Sequence, residues 1–327
     1  MTSLITGASR GLGYEAARRL ASDGSQTIVL AGRDLPGLEQ AARRIQAETG
    51  NLNLAPMLLD LASLASVRAF VKELRLRSLP PLRAILCNAG ISKPTARGRS
   101  AEGYEITFAV NHLGHFLLVN LLLGSLQTPA RIVFVSSGAH DPAQANGPMQ
   151  PPRYVKAEWL AYPERDPGLP GDEGIAGGQA YASSKLCNVL CAYELARRLE
   201  AAGLSTTQRQ LTVNAFDPGL MAGTGLGRDG KGLMRFAWYT VMPIVSRFMK
   251  AGRTTAQSGA DLAYLATAPE LEGVTGQYFS GRAVVPSSAE SHDLAKAADL
   301  WQTSIELAGL QLDEGLPLDV ASGQILR

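Results

Sequence analysis

The segment Tyr181-Ala182-Ser183-Ser184-Lys185 sets a tyrosine and a lysine four residues apart near the start of a helical stretch. At that spacing both side chains project from one helix face. A phenol with a pKa near 10 exchanges protons poorly at neutral pH until a nearby ammonium stabilises its phenolate, and each unit of depression is worth about 1.4 kcal/mol. The pair is therefore a candidate general acid/base, although the spacing alone is common. A second segment with chemical potential opens the chain, Thr6-Gly7-Ala8-Ser9-Arg10-Gly11-Leu12-Gly13. Glycines at G-x-x-x-G-x-G spacing allow a tight turn between strand and helix and bring backbone close to a pyrophosphate at the positive helix end. Gly7, Ser9, Arg10, Gly11, Leu12 and Gly13 are thus candidate dinucleotide-binding residues. Ala31-Gly32-Arg33-Asp34 ends the second strand, where an acid would serve a ribose 2′-hydroxyl and an arginine a 2′-phosphate. Arg33 has the planar fork suited to phosphate, Arg10 adds a second cation, and Asp34 reads as the cap of the next helix, ahead of Leu35-Pro36. The expected cofactor is NADP(H).

Positioning these residues requires a particular scaffold. Residues 3–6, 27–31, 52–59, 83–87, 131–136 and 211–216 read as strands. Residues 12–22, 37–49, 64–77, 101–126 and 180–202 carry apolar side chains at helical spacing. Strands alternating with helices predict an α/β fold, a doubly wound parallel sheet of Rossmann type covered on both faces. Residues 1–327 read as a single NADP-binding domain with an active-site insertion at 138–178 and a C-terminal extension. The insertion is rich in Pro and Gly and contains Tyr154, Trp159 and Tyr162; loops this long in compact domains are usually functional. The stretch 225–250, above all 234–250 with Phe236, Trp238, Tyr239 and Phe248, reads as a lid over an apolar pocket, with a peripheral membrane-surface helix as the alternative.

Composition removes other classes. The 327 residues are 46% hydrophobic and 18% charged, enough for a substantial core, and a net charge of +2 gives no reason to expect a nucleic-acid partner. Three cysteines do not make a disulfide framework, Cys187 and Cys191 lack companions for a metal, and no metal-ligand spacing occurs. With no basic region and apolar run at the N-terminus, a cytoplasmic protein is expected. The apolar run 108–126 is interrupted by Asn111, His112, His115 and Asn120, so it reads as a buried or interface helix, not a membrane span. His112, His115 and His140 read as helix-packing or loop histidines.

Taken in order, the glycine turn and the Tyr181/Lys185 pair resemble the short-chain dehydrogenase/reductase superfamily, and the resemblance runs along nearly the whole chain. Asp60-Leu61 resembles the family's adenine-contacting position, and Asn88-Ala89-Gly90 its Asn-Ala-Gly turn after the fourth strand. Asn111 resembles the family's catalytic asparagine, and Ser137 its catalytic serine, with Ser136 as the alternative if the strand register is off by one. Pro218-Gly219 resembles the nicotinamide-side loop, with Thr224 as the carboxamide-contacting threonine. The resemblance implies that Tyr181 acts as general acid or base and that Lys185 lowers its pKa and holds the nicotinamide ribose. It further implies that Ser137 hydrogen-bonds the substrate oxygen and that Asn111 holds the water through which protons are resupplied.

Within the superfamily, Asn111-His112-Leu113-Gly114-His115-Phe116-Leu117-Leu118 is similar to the branch shared by retinol dehydrogenases and light-dependent protochlorophyllide reductases. Cys87-Asn88, Ser184-Lys185-Leu186-Cys187-Asn188, the insertion before Tyr181 and a terminal helix containing Trp301 lean towards the reductases. Leu220 stands where they carry a cysteine after Pro-Gly, and Gly90 where they usually carry alanine. The expected activity is NADP(H)-dependent hydride transfer to or from a carbonyl/alcohol carbon of a bulky apolar small molecule. The alternatives are light-driven reduction of a pigment carbon–carbon double bond and a non-catalytic NADP-sensing protein. The resemblance also allows a homo-oligomer built on long helices.

Overall fold

The structure, a computed structural model, describes residues 1–93, 95, 97–144, 149–205, 210–220, 252–311 and 314. Thr224 and the expected lid 225–250 lie outside the described residues.

Strands β1 (Thr2–Thr6), β2 (Thr27–Gly32) and β3 (Leu54–Leu58) alternate with helices α1 (Gly11–Ala21), α2 (Leu35–Thr49) and α3 (Leu64–Leu76). The second half runs β4 (Leu82–Cys87), α4 (Ile106–Ser125), β5 (Leu126–Val135), the short α5 (Ala157–Ala161), α6 (Glu173–Ala201) and β6 (Leu211–Asp217). It ends with α7 (Thr255–Thr267), β7 (Tyr278–Ser280), β8 (Ala283–Val284) and α8 (Leu294–Ala308). The strands form one eight-stranded sheet in the order β3-β2-β1-β4-β5-β6-β7-β8, parallel except for β8. The order reverses between β1 and β4, which opens a crevice at the strands' C-terminal ends, where doubly wound sheets bind ligands.

Each half of the core covers one sheet face. Ala17, Leu20, Leu38, Ile45 and Leu262 of α1, α2 and α7 pack on one side; Phe70, Phe116, Leu190 and Trp301 of α3, α4, α6 and α8 pack on the other. Helix starts are marked by side-chain caps. Asp34 accepts from Gly37 N at 3.1 Å at the head of α2, and Asp172 accepts from Ile175 N at 2.9 Å at the head of α6. The Asp172 cap starts α6 seven residues before the expected Ala180, so Tyr181 lies two turns inside the helix. Helix α4 starts at Ile106, not 101, and β5 starts at Leu126, earlier than expected.

Helix α4 is long and apolar enough to cross a membrane by length and composition, yet 94% of its most apolar window is buried in this chain. Its apolar surface is consumed by the chain's own core. The insertion closes against α8: the Tyr154 hydroxyl lies 2.9 Å from Asp299 Oδ2, and Tyr162 meets Tyr104 edge-on at 5.6 Å. Two of the three insertion aromatics therefore pack the scaffold.

The buried histidines of α4 give the fold a pH dependence. His112 Nε2 meets Ser304 Oγ of α8 at 2.8 Å, and burial pushes the imidazole down to about 3. The depressed value means that stability is fully present above the unfolded-state pKa near 6.5 and is lost as pH falls towards 3. The urea midpoint should therefore fall between about pH 6.5 and about pH 4 more steeply in the wild type than in His112→Asn. Parallel curves would remove His112 as a cause.

Candidate active site

The turn after β1 is built for close approach. Gly7 has φ +69, and a Cβ on Gly13 would stand 2.5 Å from Asn88 Nδ2 and 2.6 Å from the Gly7 carbonyl oxygen. Asn88 Nδ2 donates to the Thr6 carbonyl at 2.7 Å, locking the turn after β4 to the turn after β1. Thr6 is the hub of this junction. Its Oγ1 accepts from Asn88 N and Ala89 N, both at 2.9 Å, and meets His115 Nε2 at 2.8 Å. His115 Nδ1 lies 3.1 Å from the Asn111 carbonyl, which can only accept, so Nδ1 carries the proton and Nε2 accepts from Thr6. Burial pushes His115 down to about 4, consistent with a neutral ring. Neither Thr6 nor His115 was singled out for the site from the sequence; the only signal was the position of Thr6 directly before Gly7.

Along the crevice, Arg10 stands at the head of α1 and Arg33 just beyond β2, both exposed. Among the described residues neither is held in an ion pair. Asp34 is occupied by its helix cap. Asp60 Oδ1 accepts from Ala62 N at 3.0 Å, and Leu61 packs on Gly114, where a Cβ would meet the Leu61 carbonyl at 2.6 Å.

Asn111 lies in a π-helical turn, Ala109–Leu113, within α4; such turns are frequent at functional sites. Its Nδ2 donates to the Ile91 carbonyl and to Ser184 Oγ, each at 2.9 Å, and its Oδ1 accepts from Ile91 N at 2.8 Å. The side chain is fully engaged, and the main-chain oxygen meets His115 Nδ1 at 3.1 Å. Gly90 faces the same place, since a Cβ there would lie 3.3 Å from Lys185 Nζ and 3.5 Å from Asn111 Oδ1.

Ser137, Tyr181 and Lys185 come together at the end of β5. Lys185 is 4% exposed, its Nζ donates to the Val135 carbonyl at 3.1 Å, and Nζ is 5.6 Å from the Tyr181 ring centre. Ser137 Oγ accepts from Ala139 N at 3.2 Å, and its hydroxyl is near enough to Tyr181 to favour the phenolate. Ser136 Oγ donates instead to the Lys185 carbonyl at 2.7 Å, which fixes α6 on β5 and takes Ser136 away from the site. His140 Nδ1–H donates to the Ser137 carbonyl at 2.8 Å, and its Nε2 accepts from Ser288 N at 3.0 Å, so this neutral ring braces the serine segment.

The electrostatics differ from expectation in one respect. Burial carries Tyr181 up to about 12; the neighbouring Ser137 hydroxyl opposes this, and Asp217 adds to it. The lowering expected from Lys185 is absent because burial brings that amine down to about 8, so its charge fades before the phenol titrates. Near neutral pH the arrangement presents a protonated phenol and a largely charged ammonium. Such a pair can give a proton to a developing alkoxide.

On the far side, Pro218 and Gly219 follow β6, where Gly219 N donates to Asp217 Oδ1 and the Pro218 carbonyl accepts from Ser258 Oγ at 2.6 Å. Thr224 lies outside the described residues. Among the described residues no cluster of His, Cys, Asp and Glu could hold a metal.

Residues 1–149 match the family model for short chain dehydrogenases, and residues 229–316 match that of the AcuH dehydrogenase domain. The chain is 37% identical to a protochlorophyllide reductase of Avena sativa over 324 residues, covering 94% of this chain and 99% of that protein. It is 34% identical to retinol dehydrogenase 13 of Mus musculus, covering 97% of this chain and 86% of that one. Among solved structures, the Pseudomonas aeruginosa RhlG/NADP active-site complex superposes with a TM-score of 0.59 at 21% identity, covering 85% and 93% of the two chains, a likeness of fold. Identity at this level along almost the full length of both relatives is a matter of descent: the chain belongs to the short-chain dehydrogenase/reductase superfamily, in the branch of the retinol dehydrogenases and protochlorophyllide reductases.

Proposed function

We propose that the protein is an NADP(H)-dependent oxidoreductase acting on a carbonyl or alcohol carbon of a bulky apolar small molecule. The observation that carries this reading is that Lys185 Nζ, held on the Val135 carbonyl at the end of β5 just ahead of Ser137, lies 5.6 Å from the Tyr181 ring. The cofactor fits the residues present: the glycine turn leaves no room for a side chain at Gly13, and Arg10 and Arg33, with no ion pair among the described residues, can take a 2′-phosphate. When bound, the nicotinamide supplies or accepts the hydride. Tyr181 gives its proton to the substrate oxygen in reduction and receives one in oxidation. Ser137 donates a hydrogen bond to that oxygen, stabilising the charge that develops there. Lys185 holds the ribose and keeps positive charge beside the phenol. Asn111 holds the water that returns protons to Lys185. A retinol dehydrogenase relative and the apolar sequence of 225–250 support a bulky hydrophobic substrate.

A second reading is light-driven carbon–carbon double-bond reduction, favoured by the relatives named protochlorophyllide reductase. Leu220 speaks against it, because the side chain after Pro-Gly has no proton to give. Purified protein with NADPH should oxidise the cofactor in the dark when offered hydrophobic aldehydes or ketones. Turnover that requires both a tetrapyrrole and illumination would replace the first reading with the second.

A further inference from the structure

Thr6 ends β1 and His115 lies in α4, and both side chains are fully buried. A threonine hydroxyl has one proton to give and two lone pairs to fill. The amides of Asn88 and Ala89, each at 2.9 Å, take both lone pairs of Thr6 Oγ1. Its proton then needs an acceptor. His115 Nε2 stands at 2.8 Å, and the other acceptor, the Leu86 carbonyl, at 3.4 Å. The Asn111 carbonyl, 3.1 Å from Nδ1, in turn requires a donor there. Both ends of the imidazole therefore fix the same neutral tautomer, with Nδ1–H and a bare Nε2.

These bonds close a ring. From Thr6 it passes through Ala89 to Ile91, whose amide donates to Asn111 Oδ1 at 2.8 Å, and it returns from Asn111 through His115 to Thr6. Among the described residues, His115 is the one side chain of α4 that hydrogen-bonds β1. One side of the ring carries the glycine turn, which begins at Gly7 directly after Thr6. The other carries Asn111, which borders Gly90 together with Lys185. An imidazole moves as a rigid plane, so a displacement at one nitrogen is passed to the other.

We propose that His115 is a positioning residue that couples the dinucleotide turn to Asn111, so that the seating of the cofactor on the glycine turn and the placing of Asn111 beside Lys185 depend on each other. This rests on the NADP(H)-dependent reaction proposed above, in which the glycine turn takes the cofactor and Asn111 serves proton return. The Thr6 end of the imidazole acts on cofactor binding, and the Asn111 end acts on turnover.

The two ends can be tested apart. Asparagine has its amide nitrogen as far from Cβ as Nδ1, and glutamine its amide oxygen as far as Nε2. His115→Asn thus keeps the donor for Asn111 and loses the acceptor for Thr6, while His115→Gln does the reverse. In His115→Asn, Kd for NADPH, read by cofactor fluorescence, should rise about 10-fold while kcat at saturating NADPH stays close to wild type. In His115→Gln, kcat should fall about 10-fold while Kd stays close to wild type. Equal losses of both quantities in both variants, following the thermal midpoint, would show a packing residue and overturn the inference, as would wild-type values throughout. If no carbonyl substrate turns over, Kd alone decides, and the absence of a difference between the two variants overturns the inference whatever the reaction. Failure of the wild type to bind NADPH would remove the functional reading and the coupling with it. Should the variants fail to fold, wild-type protein with 15N-labelled histidine carries the test, its other imidazoles assigned by substituting His112, His140 and His292 in turn. The His115 signals should show the Nδ1–H tautomer and move when NADPH is added; an Nε2–H tautomer or unmoved signals overturn the inference.

Discussion

Tyr181→Phe is expected to lower kcat for carbonyl reduction by about 10²–10⁴-fold, the range associated with loss of a positioned general acid. The substitution keeps the ring and removes only the hydroxyl beside Ser137. Lys185 retains its bond to the Val135 carbonyl, and Ser136 its bond to the Lys185 carbonyl, so α6 stays seated on β5. KM for NADPH should consequently change little, and the thermal midpoint should stay close to that of the wild type. The split matters because a folding defect would change all three quantities together. Steady-state kinetics with NADPH and the best hydrophobic aldehyde, alongside a thermal melt, decide it. Turnover in Tyr181→Phe equal to the wild type would mean that the proton comes from elsewhere and that the mechanism assigned to this cluster is wrong.

The parts of this site that are legible in the sequence are those in which chemistry depends on local spacing. Tyr181 and Lys185 are one helical turn apart, and the glycine turn carries its strand and helix on either side, so both are visible without any tertiary contact. The choice between Ser136 and Ser137 is different in kind. Adjacent strand residues point to opposite faces, and only the bond from Ser136 Oγ to the Lys185 carbonyl shows which serine is taken by packing. Strands β7 and β8, of three and two residues, are too short to show a period. Helix α7 carries its own start signal in the sequence, Thr254 and Gln257 in a capping box.

Arg33→Ser is expected to raise KM for NADPH by roughly 10- to 100-fold while leaving KM for NADH almost unchanged. The exposed fork of Arg33 has no ion pair among the described residues, and the acidic side chain next to it, Asp34, is occupied by Gly37 N. The position that would accept from a ribose 2′-hydroxyl is thus filled by a cation, and the nearest carboxylate cannot take its place without uncapping α2. Hydrogen bonds to charged groups contribute about 1.5–3 kcal/mol, and each 1.4 kcal/mol is about tenfold in affinity, which sets the range. Arg10, at the head of α1, shares the same phosphate in this assignment, so the double replacement with Arg10→Ser should cost less than the sum of the two single ones. Because both arginines are exposed, the preference for NADPH should also narrow as salt rises. Initial rates with each cofactor at low and high ionic strength make the comparison. Equal losses for NADPH and NADH in Arg33→Ser would place the 2′-phosphate away from Arg33 and leave the cofactor preference to other residues of the crevice.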